Sequence, residues 1–505
     1  MTTTSPATTT MPRPPRPAAA VPSSRPAERP AGVPAVQPHP RVMGWVGASS
    51  LAMGGSSQSL FVIAALLAAQ GTAAVPLLAV GIVLALLAVP GWIELSCMFP
   101  DRVGGIAATC AEAFRPYGAV LANLTGVCYW WGWVTACGLS AVLSADALHA
   151  WYLPRVPSAL LAIAVIAVFA VLNLAGLRWV ARLAVPLAAG AAVLALASGV
   201  VPVLAGHVDW HRSFAFHLQT PFAGSFGALT SAMAGLFLVG CAAPAFEAAA
   251  CHVGELRRPA ADQPRALWAS GGVAVAFFAV LPVIWLGAFG PAALQLRLAT
   301  ALGPAFAPLV GGAAKAVAMW FVVLNLLTGV LQPLAGSSRT LSQLAEDGLL
   351  PRSLAFRHPA TDAPVVAVVV TTVVAAAFVL VGHPMALFDA ASLCYLIGIS
   401  LPSVAVWLLR RNEPERTRPY RARAWAIRLG LVPAAAWLAA RGVNTLCVGT
   451  TRCNTAAAAV ACSVGGVLQS NDVRWAQQHC PGHRDGIYSK RLADFAQCRG
   501  IDCFR

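Results

Sequence analysis

Charged residues are scarce in this chain. Only 10% of its 505 residues are Asp, Glu, Lys or Arg, against roughly 25% in soluble globular proteins. A soluble fold of this length needs far more charge to cover its surface, so that class is excluded. In contrast, 58% of the residues are hydrophobic, and the mean hydropathy is +0.70. The sequence therefore predicts an all-α polytopic membrane protein.

Sequence motifs of common enzymes are also missing. The chain contains no His-x-x-Glu-His, no Gly-x-Ser-x-Gly and no Walker nucleotide-binding pattern. These absences argue against an enzyme and against a self-contained ATP-driven pump. We therefore expect no catalytic residues, no cofactor and no metal site in the membrane part.

Long uncharged runs mark the membrane helices, because one span needs about 20 apolar residues. Residues 42–93 carry no charge and are long enough for two helices divided near Gly71. The further uncharged runs are 116–145, 156–177, 183–206, 213–246, 266–296, 316–338, 365–388 and 390–409. The eighth span is expected to start near Gly303 and to include Lys315. An eleventh span at about 429–446 and a weak twelfth at about 454–470 bring the total to 11–12.

The positions of the arginines predict the orientation. With the amino terminus in the cytoplasm, 22 Lys and Arg residues up to residue 428 fall on the inner side, and five fall in the outer loops up to Arg452. This is a strong positive-inside bias. It accounts for most of the net charge of +15, so no nucleic-acid partner is expected. Thirty-two arginines against two lysines favour a GC-rich bacterial gene, and hence the cell membrane.

The two ends of the chain differ from its middle. Residues 1–41 are rich in Pro and Arg and predict a disordered cytoplasmic tail, and residues 42–446 form the expected membrane-spanning core. Residues 447–505 carry six of the thirteen cysteines and the weak last span. A zinc site, disulfides or a poorly ordered tail remain open there.

Two spans contain helix breakers near mid-membrane. Span one holds the run Gly54-Gly55-Ser56-Ser57, and span six holds Gly240-x3-Pro244. In either span alone, small residues are more typical of close helix packing. Their matched placement, five helices apart, favours a pair of broken helices around a binding site, because free backbone is tolerated only where it lines a cavity.

Ionisable residues inside the membrane are costly and are functional candidates. Glu94, Glu112, Asp146 and Asp389 lie near span ends, where contact with water is a sufficient explanation. Glu247 and Lys315 lie deeper. Lys315 either replaces a cation or, as lysines near helix ends do, reaches the outer surface.

Four loop motifs carry a family resemblance. After span two comes Glu94-Leu95-x4-Pro100-x3-Gly104-Gly105, and after span six Phe246-Glu247 with Glu255-x3-Pro259-x4-Pro264-Arg265-Ala266. After span eight comes Ser338-Arg339-x-Leu341-x3-Ala345-x-Asp347-Gly348-x-Leu350-Pro351, and before span eleven Arg418-Pro419-Tyr420-Arg421. In this order the motifs resemble those of the amino acid–polyamine–organocation (APC) superfamily of permeases, over about residues 42–440.

The resemblance implies two inverted five-helix repeats with broken first and sixth helices, plus one or two further helices, working by alternating access. It implies that the unwound backbone holds the substrate. Gly54, Gly55, Ser56 and Ser57 would receive a carboxylate, and the carbonyls around Val239, Gly240, Cys241 and Ala242 an amine. Glu247 matches the gating or proton-linked glutamate, with a structural hydrogen bond to a span-one amide as the alternative.

Substrate and coupling are the least constrained predictions. The candidate side-chain pocket is small or apolar (Cys241, Ala242, Phe246 and Trp320, with tryptophans of span three), which favours a neutral or apolar amino acid. We expect proton-coupled transport or exchange in the lipid bilayer. The alternative is a non-transporting amino acid sensor built on a permease fold. The oligomeric state is not predicted.

Overall fold

The computed structural model describes residues 38–219, 224–296, 298–381 and 384–448, and the regular elements in these ranges are helices. The first half comprises α1 (Trp45–Gln58), α2 (Phe61–Gln70), α3 (Ala74–Met98), α4 (Gly105–Phe114), α5 (Ala119–Trp151), α6 (Ser158–Leu174) and α7 (Leu177–Leu204). The second half comprises α8 (Trp210–Ser213), α9 (Gly224–Ala242), a 3₁₀ helix (Ala243–Glu255), α10 (Pro259–Val275), α11 (Leu281–Leu296), α12 (Leu298–Val310), α13 (Ala314–Glu346), α14 (Val365–Val381), α15 (Pro384–Asn412), α16 (Ala424–Leu429) and α17 (Leu431–Val448).

The helices account for eleven membrane crossings in the described residues. Eight stretches are long and apolar enough to cross a membrane, and the first of them, Trp45–Met98, contains two crossings because Gly71 turns the chain with φ 64°. Two shorter apolar helices, Ser158–Leu174 and Val365–Leu380, supply the other two. The first ten crossings form two inverted five-helix repeats, and α16–α17 are additional. The prediction of the fold is confirmed, and the expected twelfth span, 454–470, lies outside the described residues.

The first crossing is interrupted later than expected. Residues 54–57 are helical, and the interruption falls at Ser59–Leu60, between α1 and α2. Residues 54–57 stay helical because the two glycines allow neighbouring helices to pack closely against this part of α1. A Cβ on Gly54 would lie 2.8 Å from Gln332 Cβ on α13, and one on Gly55 would lie 2.6 Å from the Trp133 ring. At the interruption, the Ser59 hydroxyl donates to the Gly55 carbonyl at 2.9 Å, which competes with helical backbone bonding.

The sixth crossing changes helix type where it was expected to break. α9 ends at Ala242 and continues as the 3₁₀ helix Ala243–Glu255, with Pro244 in its first turn. Proline lacks the N–H that an α-helix would use at this point, so the α-helical ladder ends here. Within the 3₁₀ helix, His252 departs from helical geometry with φ −113° and ψ 16°.

The eighth crossing begins later than expected. Residues 298–310 form the separate helix α12, and α13 starts at Ala314, after a turn at Gly311 with φ 52°. Lys315 is exposed in the first turn of α13, as expected of a lysine that reaches the surface from a helix end. Trp320 is 42% exposed and packs against Tyr152 with ring centroids 5.6 Å apart, so its prediction as a pocket residue is wrong.

We call the end of the bundle at which α1 begins the proximal end, and a buried glutamate holds part of it together. Glu94, at the end of α3, is fully buried. It accepts from Arg410 Nε at 2.8 Å and from the Ala422 backbone N–H at 2.8 Å, and Arg418 Nε lies 3.4 Å away. Contact with water was expected at Glu94, and that expectation is wrong. The carboxylate instead joins α3 to α15 and to the segment before α16.

The other expected wet-end acids are less buried. Glu112 lies on α4, outside the crossings, within 2.6 Å of Arg102 and 3.2 Å of Arg115. Burial raises the pKa of Glu112, but the two guanidinium groups lower it, and the net pKa is below the ordinary value. Asp146 and Asp389 are half-buried on α5 and α15.

A second buried ion pair joins the sixth and eighth crossings at the proximal end. Arg339 Nε donates to both carboxylate oxygens of Glu255 at 2.9 Å. His252 Nδ1 lies 2.9 Å from the same carboxylate. The loop before α4 packs on this pair, since Gly104 N–H donates to Cys251 O at 2.9 Å, and Gly104 takes the left-handed φ of 84° that the loop requires.

The segment before α1 is fastened to the same layer. Met43 N–H donates to Glu255 O at 3.1 Å, and Arg257 N–H donates to Met43 O at 2.8 Å. His39 Nδ1 lies 2.8 Å from Asp362, which Arg357 also contacts at 2.8 Å. Ligand atoms of His39, Glu255 and Asp362 lie within 4.8 Å of one another, but Arg339 and Arg357 already neutralise the two carboxylates. The cluster is therefore an ion-pair network that closes the proximal end.

The buried pair at Glu94 should matter more for stability than a surface pair. Glu94→Gln leaves two arginines facing a neutral amide, and loss of one member of a buried ion pair typically costs about 3–5 kcal/mol. Glu413→Gln is the matched control, because its pair with Arg416 at 2.6 Å is partly exposed and worth about 0–1 kcal/mol. Thermal unfolding in detergent should show a clear drop for Glu94→Gln only. Equal midpoints for both variants would contradict this ranking.

The contact of His39 should hold the proximal end closed. His39→Leu removes a hydrogen bond to a charged group, worth about 1.5–3 kcal/mol, so opening should become roughly ten times more frequent or more. In a chain whose only cysteine is the buried Cys251, the rate of maleimide labelling measures that opening. The exposed His358 of the same loop supplies the control, His358→Leu. If both variants label at the wild-type rate, the contact does not hold the end closed.

Candidate functional site

A cavity lies beside the interruption of the first crossing. It has a volume of about 30 Å³, far below the roughly 300–1,000 Å³ of typical ligand pockets. The lining residues come from α1 and α2, α5, α9 and α15: Gln58, Ser59, Phe61, Gly132, Trp133, Ala136, Leu139, Ser140, Cys241, Phe388, Ala391 and Tyr395.

The cavity wall is apolar and uncharged. Aromatic rings of Phe61, Trp133, Phe388 and Tyr395 form much of it, and none of the lining side chains is an acid or a base. Polar groups come from Gln58, Ser59 and Ser140 on the first crossing and α5, and from the Cys241 thiol. Such a wall suits a neutral ligand, because a charged side chain buried there would have no counter-ion.

Glu247 lies next to the cavity, behind one of its walls. It is fully buried in the first turns of the 3₁₀ helix. The Tyr129 hydroxyl donates to its two carboxylate oxygens at 2.9 and 3.0 Å, and the Tyr395 hydroxyl donates at 3.0 Å. These phenols, rather than a backbone amide of span one, are its hydrogen-bond partners. Within the described residues, Glu247 has no ion-pair partner.

An aromatic cluster connects the cavity with Glu247. The Trp133 and Tyr395 rings both line the cavity and lie 5.4 Å apart between centroids, and the Tyr129 ring lies 6.1 Å from Tyr395. The Tyr129 hydroxyl also lies 3.2 Å from Cys251 Sγ. A Cβ on Gly105 would lie 3.0 Å from that sulfur, so the cluster extends to the start of α4. Polar contacts thus continue from the cavity to the proximal end.

None of the predicted site residues of span one is among the residues that line the cavity. Gly54 and Gly55 face neighbouring helices at close range. Ser56 and Ser57 are fully buried, and their hydroxyl oxygens have no hydrogen-bond partner in the described residues. The lining residues follow directly, at Gln58 and Ser59. Binding by 54–57 stays a prediction.

The predicted residues of span six fall on different faces of α9 and the 3₁₀ helix. Cys241 lines the cavity. Val239 packs against α3 at Gly81, and Gly240 packs against Leu396 and Trp437. Ala242 is buried, and the Phe246 ring lies near Trp92 in a tilted arrangement, with ring centroids 6.1 Å apart. Their roles also stay predictions, and Cys241 is the one of these side chains that reaches the cavity.

Only part of the cavity lining is predicted by the sequence. Among the tryptophans of span three, Trp133 lines the cavity, Trp130 donates to Thr371 at 3.1 Å, and Trp131 is partly exposed beside Phe378. Neutral polar residues were missed: Gln58, Tyr129, Ser140 and Tyr395. Each of them is a neutral polar residue in the middle of an apolar span. Ionisable residues alone therefore do not indicate their positions.

Comparisons with known proteins agree with this architecture. The sequence model of a family described as "amino acid permease" matches residues 43–458. Among solved structures, the chain is similar to a manganese transporter of Eremococcus coleocola, solved in complex with an aromatic bis-isothiourea substituted compound. The identity is 14%, the match covers 91% of each chain, and the TM-score is 0.51, so the likeness shows the fold. A comparison with curated proteins finds no match. Because the family match spans most of its length and includes both interrupted crossings, the chain belongs to the amino acid permease family of membrane transporters.

Proposed function

We propose that the protein is a secondary active transporter that moves neutral amino acids across the cell membrane by alternating access. The observation that carries the proposal is the uncharged cavity at the interruption of the first crossing, bordered by the sixth crossing just before its own change of helix type. A buried carboxyl, Glu247, lies directly behind it.

The interrupted helices supply groups for both charges of an amino acid. The amino-terminal end of α2, at Phe61, offers the positive end of a helix dipole to a carboxylate. The Val62 and Ile63 N–H groups donate to Ser59 O and Leu60 O in this conformation, so they would have to leave these carbonyls to bind the carboxylate directly. The carboxyl-terminal end of α9, near Cys241, offers carbonyl oxygens to an ammonium group. Both ends border the cavity. A zwitterion could therefore bind there without a charged side chain.

Glu247 is the candidate for proton coupling. A carboxyl buried without a counter-ion is favoured in its neutral form, and it can ionise when opening of the cavity admits water. Tyr129 and Tyr395 hold its position through hydrogen bonds from two different crossings. Movement of α15, which carries Tyr395, would thus change the surroundings of Glu247 while also reshaping the cavity.

The proximal end is assigned to the cytoplasm. Most arginines outside the crossings lie at this end, as the positive-inside rule requires. The ion-pair network around Glu255 closes this end, and its opening would expose the cavity to the cytoplasm. A sensor built on the same fold would bind an amino acid without moving it, so flux decides between the two.

Uptake by purified protein in proteoliposomes tests the function. A panel of labelled amino acids is offered with and without an inward proton gradient. Accumulation of a neutral amino acid that requires the gradient is the expected result, while uptake only into substrate-preloaded vesicles indicates an exchanger. Binding without flux in either format would favour the sensor, and the absence of both would reject an amino acid substrate.

Glu247→Gln tests the coupling. The amide keeps the size and much of the hydrogen bonding of the carboxyl but cannot titrate, so uptake should lose its dependence on pH and on the proton gradient. Exchange of internal for external substrate should continue. Glu112→Gln, at a carboxylate outside the crossings, is the control and should behave as wild type. An unaltered pH profile in Glu247→Gln would remove Glu247 from the coupling mechanism.

A further inference from the structure

Gln58 and Ser140 form a polar pair in the otherwise apolar wall of the cavity. Both residues line the cavity, and the Ser140 hydroxyl donates to Gln58 Oε1 at 2.8 Å. Gln58 is the last residue of α1, and Ser140 lies on α5, so the pair joins the interrupted crossing to a continuous one. The pair is well buried, with Gln58 6% exposed and Ser140 1% exposed.

A glycine on α13 provides the space for this pair. A Cβ on Gly329 would lie 2.6 Å from Gln58 Oε1 and 2.9 Å from Ser140 Oγ, closer than side-chain atoms normally approach. Any larger residue there would push the amide of Gln58 out of its place. The conformation of Gln58 is thus fixed from two sides, by a hydrogen bond from α5 and by contact with the backbone of α13.

The bond from Ser140 decides which end of the Gln58 amide remains available. The carbonyl oxygen is occupied, and the –NH₂ group donates to no other group in the described part of the chain. Because Gln58 itself lines the cavity, this amide group is the part of the side chain that could donate to a bound molecule.

The surroundings of the pair make this donor selective. Ala136 and Leu139 lie beside Ser140 on the cavity wall, and Phe61 and Phe388 complete an apolar surface. The backbone groups at the ends of α2 and α9 are the ones proposed to hold the carboxylate and the amine. The Gln58–Ser140 pair lines the cavity and packs against Gly329 of α13. Because the backbone groups are assigned to the carboxylate and the amine, we assign this pair to the side chain of the substrate.

We infer that Gln58, positioned by Ser140, makes the protein prefer neutral amino acids whose side chain carries a hydrogen-bond acceptor, an amide carbonyl or a hydroxyl, over hydrocarbon side chains of the same shape. This inference rests on the proposed transport of amino acids. An apolar side chain would leave the Gln58 donor buried and unpaired, which a matching acceptor avoids. Apolar fit alone discriminates weakly between such isosteres.

Two pairs of amino acids with matched shapes test the inference in proteoliposomes. Asparagine is compared with leucine, and threonine with valine, as kcat/KM of uptake. Wild type should favour the polar member of each pair by about 10- to 100-fold, the effect expected of one buried donor left unpaired. Gln58→Leu should abolish this preference, because the KM for the polar substrates should rise relative to the KM for leucine and valine.

Ser140 is expected to act as a positioning residue. Ser140→Ala should weaken the preference by freeing the Gln58 amide, and Ser140→Thr, which keeps the hydroxyl, should restore it. Ser144→Ala is the matched control, one turn further along α5, because that buried hydroxyl bonds its own helix at Ala141 O. Its selectivity should equal that of wild type.

Several results would overturn the inference. If wild-type protein transports both members of each pair equally well, the inference is wrong, but the proposed function is unaffected. An equal loss of all four substrates in Gln58→Leu would assign Gln58 to the common carboxylate or amine instead. Wild-type protein that transports and binds none of the four would overturn the inference together with the proposed function.

Discussion

The ion pair between Arg339 and Glu255 is the contact on which the proximal half of the structure depends. It is almost fully enclosed, so neither charge has water to stabilise it, and each needs the other. Arg339 extends from α13, while Glu255 ends the 3₁₀ helix and also accepts the backbone N–H of Met43. One carboxylate residue thus fixes the first and sixth crossings to the eighth. Any movement that opens this end has to separate a pair that is costly to separate.

Around the cavity, too, one buried polar group joins several helices. Tyr129 and Tyr395 belong to α5 and α15, yet both donate to Glu247, so the carboxyl holds two crossings at a common point. Where helices approach most closely, glycine replaces a side chain: Gly54 and Gly329 let α1 lie directly against α13. Close packing and polar pairing are therefore used in the same layer. The residues that shape the cavity are also residues that hold the bundle together.

Much of the fold could be predicted from the sequence, because each crossing has to be apolar along about 20 consecutive residues. Helix breakers in the first and sixth crossings could likewise be identified, since Pro244 removes a donor wherever it sits. The exact interruption in the first crossing could not. Gly54 and Gly55 permit both unwinding and close approach, and only the neighbouring α13 and Trp133 decide between them. Local sequence does not contain that neighbour.

The site was harder to predict for a related reason. The partners of Glu247 come from crossings that are far apart in the chain, and a tyrosine in an apolar helix gives no sign of the carboxyl it will meet. Glu94 was misjudged because its position near a helix end suggested water, whereas Arg410 and Arg418 fold back over it. Pairings between distant segments set the burial of each acid, and spacing along one helix cannot reveal them.

The 3₁₀ helix of the sixth crossing has a consequence for the length of that segment. A 3₁₀ helix rises about 2.0 Å per residue and an α-helix about 1.5 Å, so the residues from Ala243 to Cys251, before the kink at His252, are longer by about 4–5 Å than they would be as an α-helix. Rewinding would pull the Glu255 end toward the cavity. It would also turn successive side chains by about 20° less per residue, which accumulates along the helix. A change from 3₁₀ to α-helical geometry would therefore shorten the sixth crossing and draw its two ends together.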